Sequence, residues 1–216
     1  MGLDSGGYSR LDLQKLSRLG PHKIRSERHA LHIVQRALDC GINLLDFLGI
    51  TEGFSQDTNH DMLARAVADD CWDVVMVGFN LLNQSARERV LQTTQAKQIG
   101  VLAMFAVRRA LRDRKTLATS LAQLKTMKGL DLSVIKALEA EMALDFLFHS
   151  GGAESLTDAA YRFCRYEPGV DVVMFGTGSF RHLDANVRSL LRPPLPEDDV
   201  ARLKTFFAGI TQLTGN

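Results

Sequence analysis

The segment Gly176-Thr177-Gly178-Ser179 has the residue types and the setting for ligand chemistry. It follows the apolar run Val170 to Phe175 and precedes a helical stretch, so it reads as a glycine-rich turn from strand to helix. In such a turn the glycines let backbone N–H groups and a helix N-terminus approach a phosphate. The plainer alternative is a tight turn with no ligand. A second charged feature is the run Arg108, Arg109, Arg112, Arg114 and Lys115, which by itself reads as the solvated start of a helix.

Metal chemistry finds little support. His29 and His32 lie one helical turn apart, yet no carboxylate or third histidine stands at a fitting position, so surface histidines are expected. His60, near the start of a helix, and His149, in a loop, are expected at the surface as well. Cys40, Cys71 and Cys164 are isolated, with no C-x-x-C spacing, and read as small half-buried apolar side chains in a reducing compartment. The cytosol is therefore the expected location. A net charge of +1 gives no reason for a nucleic-acid or anionic-membrane partner. No apolar run approaches the roughly 20 residues needed to span a bilayer, and the first residues lack the basic and apolar regions of a secretory signal.

The elements that must position these residues alternate between two patterns. Apolar residues at three- and four-residue spacing predict helices. Short, almost continuous apolar runs between them predict strands buried on both faces of a parallel sheet. Strands are expected at 42–50, 73–79, 99–105 and 170–176, with one more candidate at residues 1–8. Ser26 is expected to cap a helix through Asp39, with Ala30, Ile33, Val34, Ala37 and Leu38 on one face and Gly41 at its end. Asp57 or Thr58 would cap the next helix, burying Met62, Leu63, Ala66 and Val67. Further helices are expected at 85–97, 155–166, 180–191 and 197–212, and a mostly helical, charged section from Ala106 to Gly152. The alternation implies an α/β fold, since each parallel crossover needs a helix. The chain reads as a single domain over 1–216.

Several segments, in order, resemble the aldo-keto reductases, nicotinamide-dependent oxidoreductases built on a (β/α)8 barrel. Ala37-Leu38-Asp39-Cys40-Gly41-Ile42-Asn43-Leu44-Leu45-Asp46 is similar to the family's "AL-x-x-GIN-x-x-D" segment. Trp72 to Asn83 looks like its sixth strand and the following turn, and Ile99 to Arg108 like its seventh. Ser155 to Phe163, then Gly176 to Ser179 and His182-Leu183-Asp184-Ala185-Asn186, resemble the eighth unit and its cofactor loop.

The resemblance implies NADP or NAD as cofactor and a small carbonyl or alcohol as substrate. It makes Asp46 the catalytic aspartate and implies cofactor contacts from Phe105, Arg108, Gly176, Thr177, Gly178, Ser179, His182 and Asn186. Arg108 would be the charge reaching the pyrophosphate. Thr51 and Glu52 match the "S-N" pair that holds the carboxamide, although an ionised glutamate accepts only. Met76 stands where a carboxamide-binding glutamine is usual. Gly176 and His182 stand where many NADP-preferring members have a lysine and an arginine, which leaves the cofactor preference open, while the changes at Glu52 and Met76 argue for nicotinamide binding weakened or lost.

The departures from the family pattern centre on Asp46. There, the aspartate precedes "TA-x-x-YG" with the catalytic tyrosine, and a lysine and a histidine end the next two strands. Here Phe47-Leu48-Gly49-Ile50-Thr51-Glu52 follows, similar to a much later segment, so the chain reads as an incomplete barrel with an internal deletion after Asp46. A shortened isoform or a gene-model gap would give such a sequence. Carbonyl reduction needs a hydride on carbon and a proton on oxygen. The tyrosines present, Tyr8, Tyr161 and Tyr166, do not match the motif. The sequence thus implies a reductase by family with impaired or absent activity; the alternative is a non-catalytic form acting by nucleotide binding or association. Missing strands would leave open edges, and self-association through them is expected.

Overall fold

The computed structural model describes residues 21–42, 60–68, 72–124, 144–208 and 210. Residues 43–50 of the strand expected over 42–50, the candidate strand at 1–8 and the candidates Asp46, Thr51 and Glu52 lie outside these residues, as do Tyr8, Cys71, Asp57 and Thr58. The chain divides into two compact units, one of Met1–Leu45 with Thr177–Leu183, the other of Asp46–Gly176 with Asp184–Asn216.

In the first unit, helix α1 spans Pro21–Asp39. It starts five residues before the expected cap, Ser26, because a proline at the first helical position gives up only an N–H that would have no intrahelical partner. Ile33 and Ala37, one turn apart, are buried, and Val34 is half-buried. Leu38 was expected on that face but is exposed: it sits about 100° around the axis from Ala37. The expected stop at Gly41 is realised at φ +82°. Gly41 N–H donates to the Leu38 carbonyl at 2.9 Å and Ile42 N–H to that of Ala37 at 3.0 Å, a Schellman closure that needs the left-handed conformation glycine adopts freely.

In the second unit, helix α2 (Asp61–Ala68) buries Leu63, Ala66 and Val67 as expected. Three parallel strands follow in the order β1 (Val74–Gly78), β2 (Gly100–Met104) and β3 (Val172–Val173), matching the expected parallel sheet. Between β1 and β2 the expected helix is a π-helical turn, Arg87–Leu91, running into α3, Gln92–Lys97. The section after β2 holds a 3-10 turn at Arg109–Leu111, helix α4 (Arg114–Leu124) and a 3-10 turn at Asp145–Leu147.

Helix α5 (Leu156–Arg165) opens where expected, with the Ser155 hydroxyl oxygen accepting from Asp158 N–H at 3.0 Å. Helices α6 (Phe180–Leu191) and α7 (Glu197–Phe206) follow, the last ending six residues short of the expected 212.

β3 is shorter than expected because Asp171 is drawn into the pairing. Its carboxylate accepts the Val101 N–H at 2.7 Å, while Asp171 N–H donates to the Val101 carbonyl at 3.1 Å. The chain still tracks β2 afterwards, with Met174 N–H on the Ala103 carbonyl at 2.8 Å. One face of the sheet, carrying Val75, Val77, Val101 and Ala103, is buried in a core with Leu63, Leu91, Phe163 and Leu203. The opposite face differs from the expected double burial. Val74 is exposed, and Met76, Leu102, Val172 and Met174 are only half-buried. The three described strands do not close on themselves, so the described residues form an open part of a parallel α/β sheet.

Candidate nucleotide-phosphate site

Phe105 directly follows β2, at the C-terminal end of the sheet, where ligands bind in parallel α/β folds. It is held at φ +66°, a conformation that costs a non-glycine residue roughly 1–2 kcal/mol. Ala106 is buried and Arg108 returns to an extended backbone at φ −101°. The sharp reversal brings the Arg108 guanidinium carbon to 3.5 Å from the centre of the Phe105 ring. The ring quadrupole holds and orients the cation there. Strained backbone of this kind is typical of ligand clamps.

The rest of the basic run behaves as a solvated helix start. Arg112 pairs with Asp113 at 3.0 Å and Arg114 with Asp145 at 2.8 Å. Asp113 opens α4, and its carboxyl is held down to about 2, first by the Thr116 backbone N–H and then by Arg112. Among these cations, sequence reasoning singled out Arg108, and the structure gives it a setting distinct from its neighbours.

The glycine-rich loop is built as a side-chain-capped turn. The Thr177 hydroxyl oxygen accepts the Ser179 N–H at 3.1 Å, and the Ser179 carbonyl accepts Leu183 N–H at 2.9 Å to start α6. The N–H groups of Phe180, Arg181 and His182 fall in the first turn, where no intrahelical acceptor exists. A Cβ built at Gly176 or Gly178 meets nothing within 4 Å, and neither glycine has a positive φ. Their small size is therefore not demanded by the turn; it leaves space above the backbone. His182 is exposed and its Nε2 lies 3.3 Å from the guanidinium of Arg181, a cation the family pattern did not single out. Asn186 is buried on α6. By compact unit, Phe105, Arg108, Gly176 and Asn186 belong to one, and Thr177, Gly178, Ser179 and His182 to the other.

Two tyrosines are described and neither is set up as an acid. Burial, with the Cys164 thiol beside it, pushes the Tyr161 phenol well above its ordinary value. Its ring stands edge-on to Phe175 at 6.0 Å. Tyr166 donates its hydroxyl proton to the Arg192 carbonyl at 2.8 Å. Burial likewise pushes the Cys164 thiol up, away from thiolate chemistry, whereas Cys40 is half-buried.

Two histidines differ from expectation. His60 was expected at the surface but is fully buried at φ +56°. Its Nε2–H donates to the Gly78 carbonyl at 3.0 Å, its Nδ1 lies 3.1 Å from the Ser85 hydroxyl, and its own carbonyl accepts from Ala64. It thus ties the start of α2 to the end of β1. His29 was expected to be a plain surface residue; it is exposed, but its Nε2–H donates to the Gly178 carbonyl at 2.6 Å. No local pattern announces either contact. His149 is exposed as expected, on the buried carboxylate of Asp199 at 2.9 Å.

The model of the aldo/keto reductase family matches residues 51–207. That range takes in Phe105, Arg108, the Gly176–Ser179 loop, His182 and Asn186, as well as Thr51 and Glu52, but begins after Asp46. Among solved structures, the chain is similar to the aldo-keto reductase AKR11C1 from Bacillus halodurans. The holo form matches at 16% identity and a TM-score of 0.51, covering 74% of this chain and 51% of that one. The apo form matches at 16% identity and a TM-score of 0.50, covering 74% and 52%. The chain therefore spans about half the length of these solved relatives, and the likeness is one of fold. A search of curated protein sequences finds no match.

Proposed function

Because the chain belongs to the aldo/keto reductase family, a family of oxidoreductases, we propose that it binds a nicotinamide nucleotide through the phosphates and reduces carbonyls poorly or not at all. The observation that carries this reading is the Arg108 guanidinium seated on Phe105 at the end of β2. The donor set fits such a ligand: a fixed cation at the C-terminal edge of a parallel sheet, and independently a loop with open space over Gly176 and Gly178 before a helix N-terminus. When bound, the nicotinamide group supplies a hydride to a carbonyl carbon. This chain's residues would hold the phosphates and exclude water, while Asp46, by family pattern, would be an orienting carboxylate.

The proton that must reach the carbonyl oxygen has no suitable source among the described residues. Burial moves Tyr161 in the wrong direction for an acid at neutral pH, and the Tyr166 hydroxyl is held on the Arg192 carbonyl. The substrate class that goes with the family is a small carbonyl or alcohol. On this reading a segment is absent between Asp46 and Phe47, which transcript sequencing would test. A cytosolic location goes with this reading, and free Cys40 and Cys164 suit a reducing compartment.

The test is calorimetry with NADPH and NADH, beside the fluorescence of Trp72, and an NADPH-oxidation assay on a panel of aldehydes. Saturable binding without turnover is expected. Arg108→Ala should weaken binding by about 10- to 100-fold, the effect of losing a hydrogen bond to a charged group. With Gly176 and His182 in place of a lysine and an arginine, discrimination between the cofactors should stay under roughly tenfold, about 1.4 kcal/mol. Silent calorimetry with both nucleotides would refute the binding, and ordinary aldehyde turnover abolished by Asp46→Asn would refute the loss of chemistry.

A second reading is favoured by the half-exposed sheet face around Val74, Met76 and Leu102. Association of two copies would cover that surface and the outer edges of β1 and β3. Light scattering after size exclusion should then give a mass above the monomer's 23.9 kDa; a clean monomer would refute it.

A further inference from the structure

We propose that His29 is a positioning residue for the loop before α6, clamping the peptide unit between Gly178 and Ser179 so that the helix entrance presents a fixed face to an anion. The inference rests on the nucleotide-binding reading above. A trans peptide is planar, so its C=O and N–H move as one plate. Here both ends of that plate are held. The Gly178 carbonyl accepts from His29 Nε2–H at 2.6 Å, and the Ser179 N–H donates to the Thr177 hydroxyl at 3.1 Å.

The need for a clamp follows from the sequence. Glycine rotates freely at φ and ψ, and a Cβ added at Gly178 would touch nothing, so packing does not restrict it. Without His29 the plate would be held at its N–H end alone. The histidine is itself oriented, its ring meeting Phe180 edge-on at 5.4 Å between centroids. α1 thus reaches the loop through one side chain that reads the carbonyl and braces against the first residue of α6. Fixing the carbonyl sets the direction of the adjoining N–H groups and keeps a carbonyl dipole from turning toward an incoming phosphate.

Two substitutions separate the hydrogen bond from the packing. His29→Phe keeps a ring against Phe180 and removes the donor; His29→Gln keeps a donor of similar reach. Because His29 is exposed, neither should disturb the core, and circular dichroism checks that helicity is intact. NADPH affinity by calorimetry should fall about 3- to 10-fold in His29→Phe, the range for one hydrogen bond, and return to within about twofold of the parent in His29→Gln. Amide exchange in the peptide covering 177–183 should rise in His29→Phe alone. Unchanged affinity in His29→Phe, beside a parent chain that binds, would overturn the role of His29 and leave the nucleotide reading standing. A parent chain that binds neither NADPH nor NADH would sink that reading and the anion-presenting role together.

Discussion

Replacing Arg162 by methionine tests the reasoning about the core most directly. Arg162 is 1% exposed and sits on α5 amid fixed acceptors. It donates to the Gly152 carbonyl at 2.8 Å, to Pro193 and Pro194 carbonyls at 2.8 and 2.9 Å, and to the Asp158 carboxylate at 3.2 Å. These bonds differ in what their loss would cost. Pro193 and Pro194 are exposed residues, so water replaces the arginine cheaply. Gly152 is buried, and an orphaned carbonyl there costs about 1–3 kcal/mol. Asp158 keeps Arg192 at 2.9 Å and the Glu154 N–H at 3.0 Å on the same oxygen, while its other oxygen has no hydrogen-bond partner among the described residues. The carboxylate is therefore weakened but not stranded, which places the loss below the roughly 3–5 kcal/mol of a buried pair broken outright. Methionine also restores part of the apolar stem. The sum is about 3 kcal/mol, or a fall in Tm of about 6–12 °C for a chain of this size. Thermal unfolding by circular dichroism and urea titration measure it. A loss under about 1 kcal/mol, or a larger loss in Arg192→Met than in Arg162→Met, would refute the assignment of the main cost to the Gly152 carbonyl.

Two further expectations concern the turn beside that arginine. His149 donates from both ring nitrogens, to the Ser150 carbonyl and to Asp199, and these contacts, Asp199 first, raise its pKa above 6.5. A raised folded-state pKa makes the added stability complete below about pH 6.5 and lost as pH rises through the folded value. The stability difference between the parent and His149→Gln should therefore shrink from pH 6 to 8.5 in urea titrations; a difference that grows would contradict this. Gly152→Ala should destabilise by about 1–3 kcal/mol, because its Cβ would collide with the Leu147 carbonyl oxygen and lie 3.0 Å from the His149 ring. Gly178→Ala, which meets open space, serves as the control, and equal melting temperatures for the two variants would count against the packing argument.

The parts of the fold that were legible are those fixed by local chemistry. The apolar runs at 74–78 and 100–104 announce strands, and Gly41 announces a helix end. The departures arise where a distant group competes with the local signal. Asp171 interrupts an otherwise uniform apolar run because Val101, 70 residues away, offers it a backbone N–H. His60 is buried because Gly78 and Ser85 supply its polar partners, and no spacing rule links residues 18 and 25 positions apart. His29 is the extreme case, with an acceptor 149 residues away. For the candidate site, residue types pointed to the glycine loop and the family resemblance to Arg108. They could not show that Phe105 would take a left-handed backbone and set its ring beneath the guanidinium.

Carbonyl reduction makes two separable demands, and on the reading proposed above this chain meets them unequally, which shapes how its function should be measured. Holding the nucleotide requires fixed cations and backbone donors, groups that keep their charge or dipole at any ordinary pH. Arg108 on Phe105 is of that kind. Delivering the proton requires an acid tuned toward neutrality, and tuning depends on neighbours: a phenol falls beside a cation and rises when buried. Tyr161 is buried and moves up. A chain that lost part of such a site would lose chemistry before affinity, because affinity is distributed over robust groups and acidity rests on one arrangement. Turnover is then the wrong first assay. A ligand that binds only the folded state stabilises it by about 2.7 kcal/mol at a hundred times its Kd, whether or not a reaction follows. In a chain of this length that is a shift of about 5–11 °C in Tm. Nucleotide-dependent melting would thus read binding by itself, and Arg108→Ala, weakening binding about 10- to 100-fold, should cut the stabilisation to roughly 0.4–1.4 kcal/mol, a shift of about 1–6 °C.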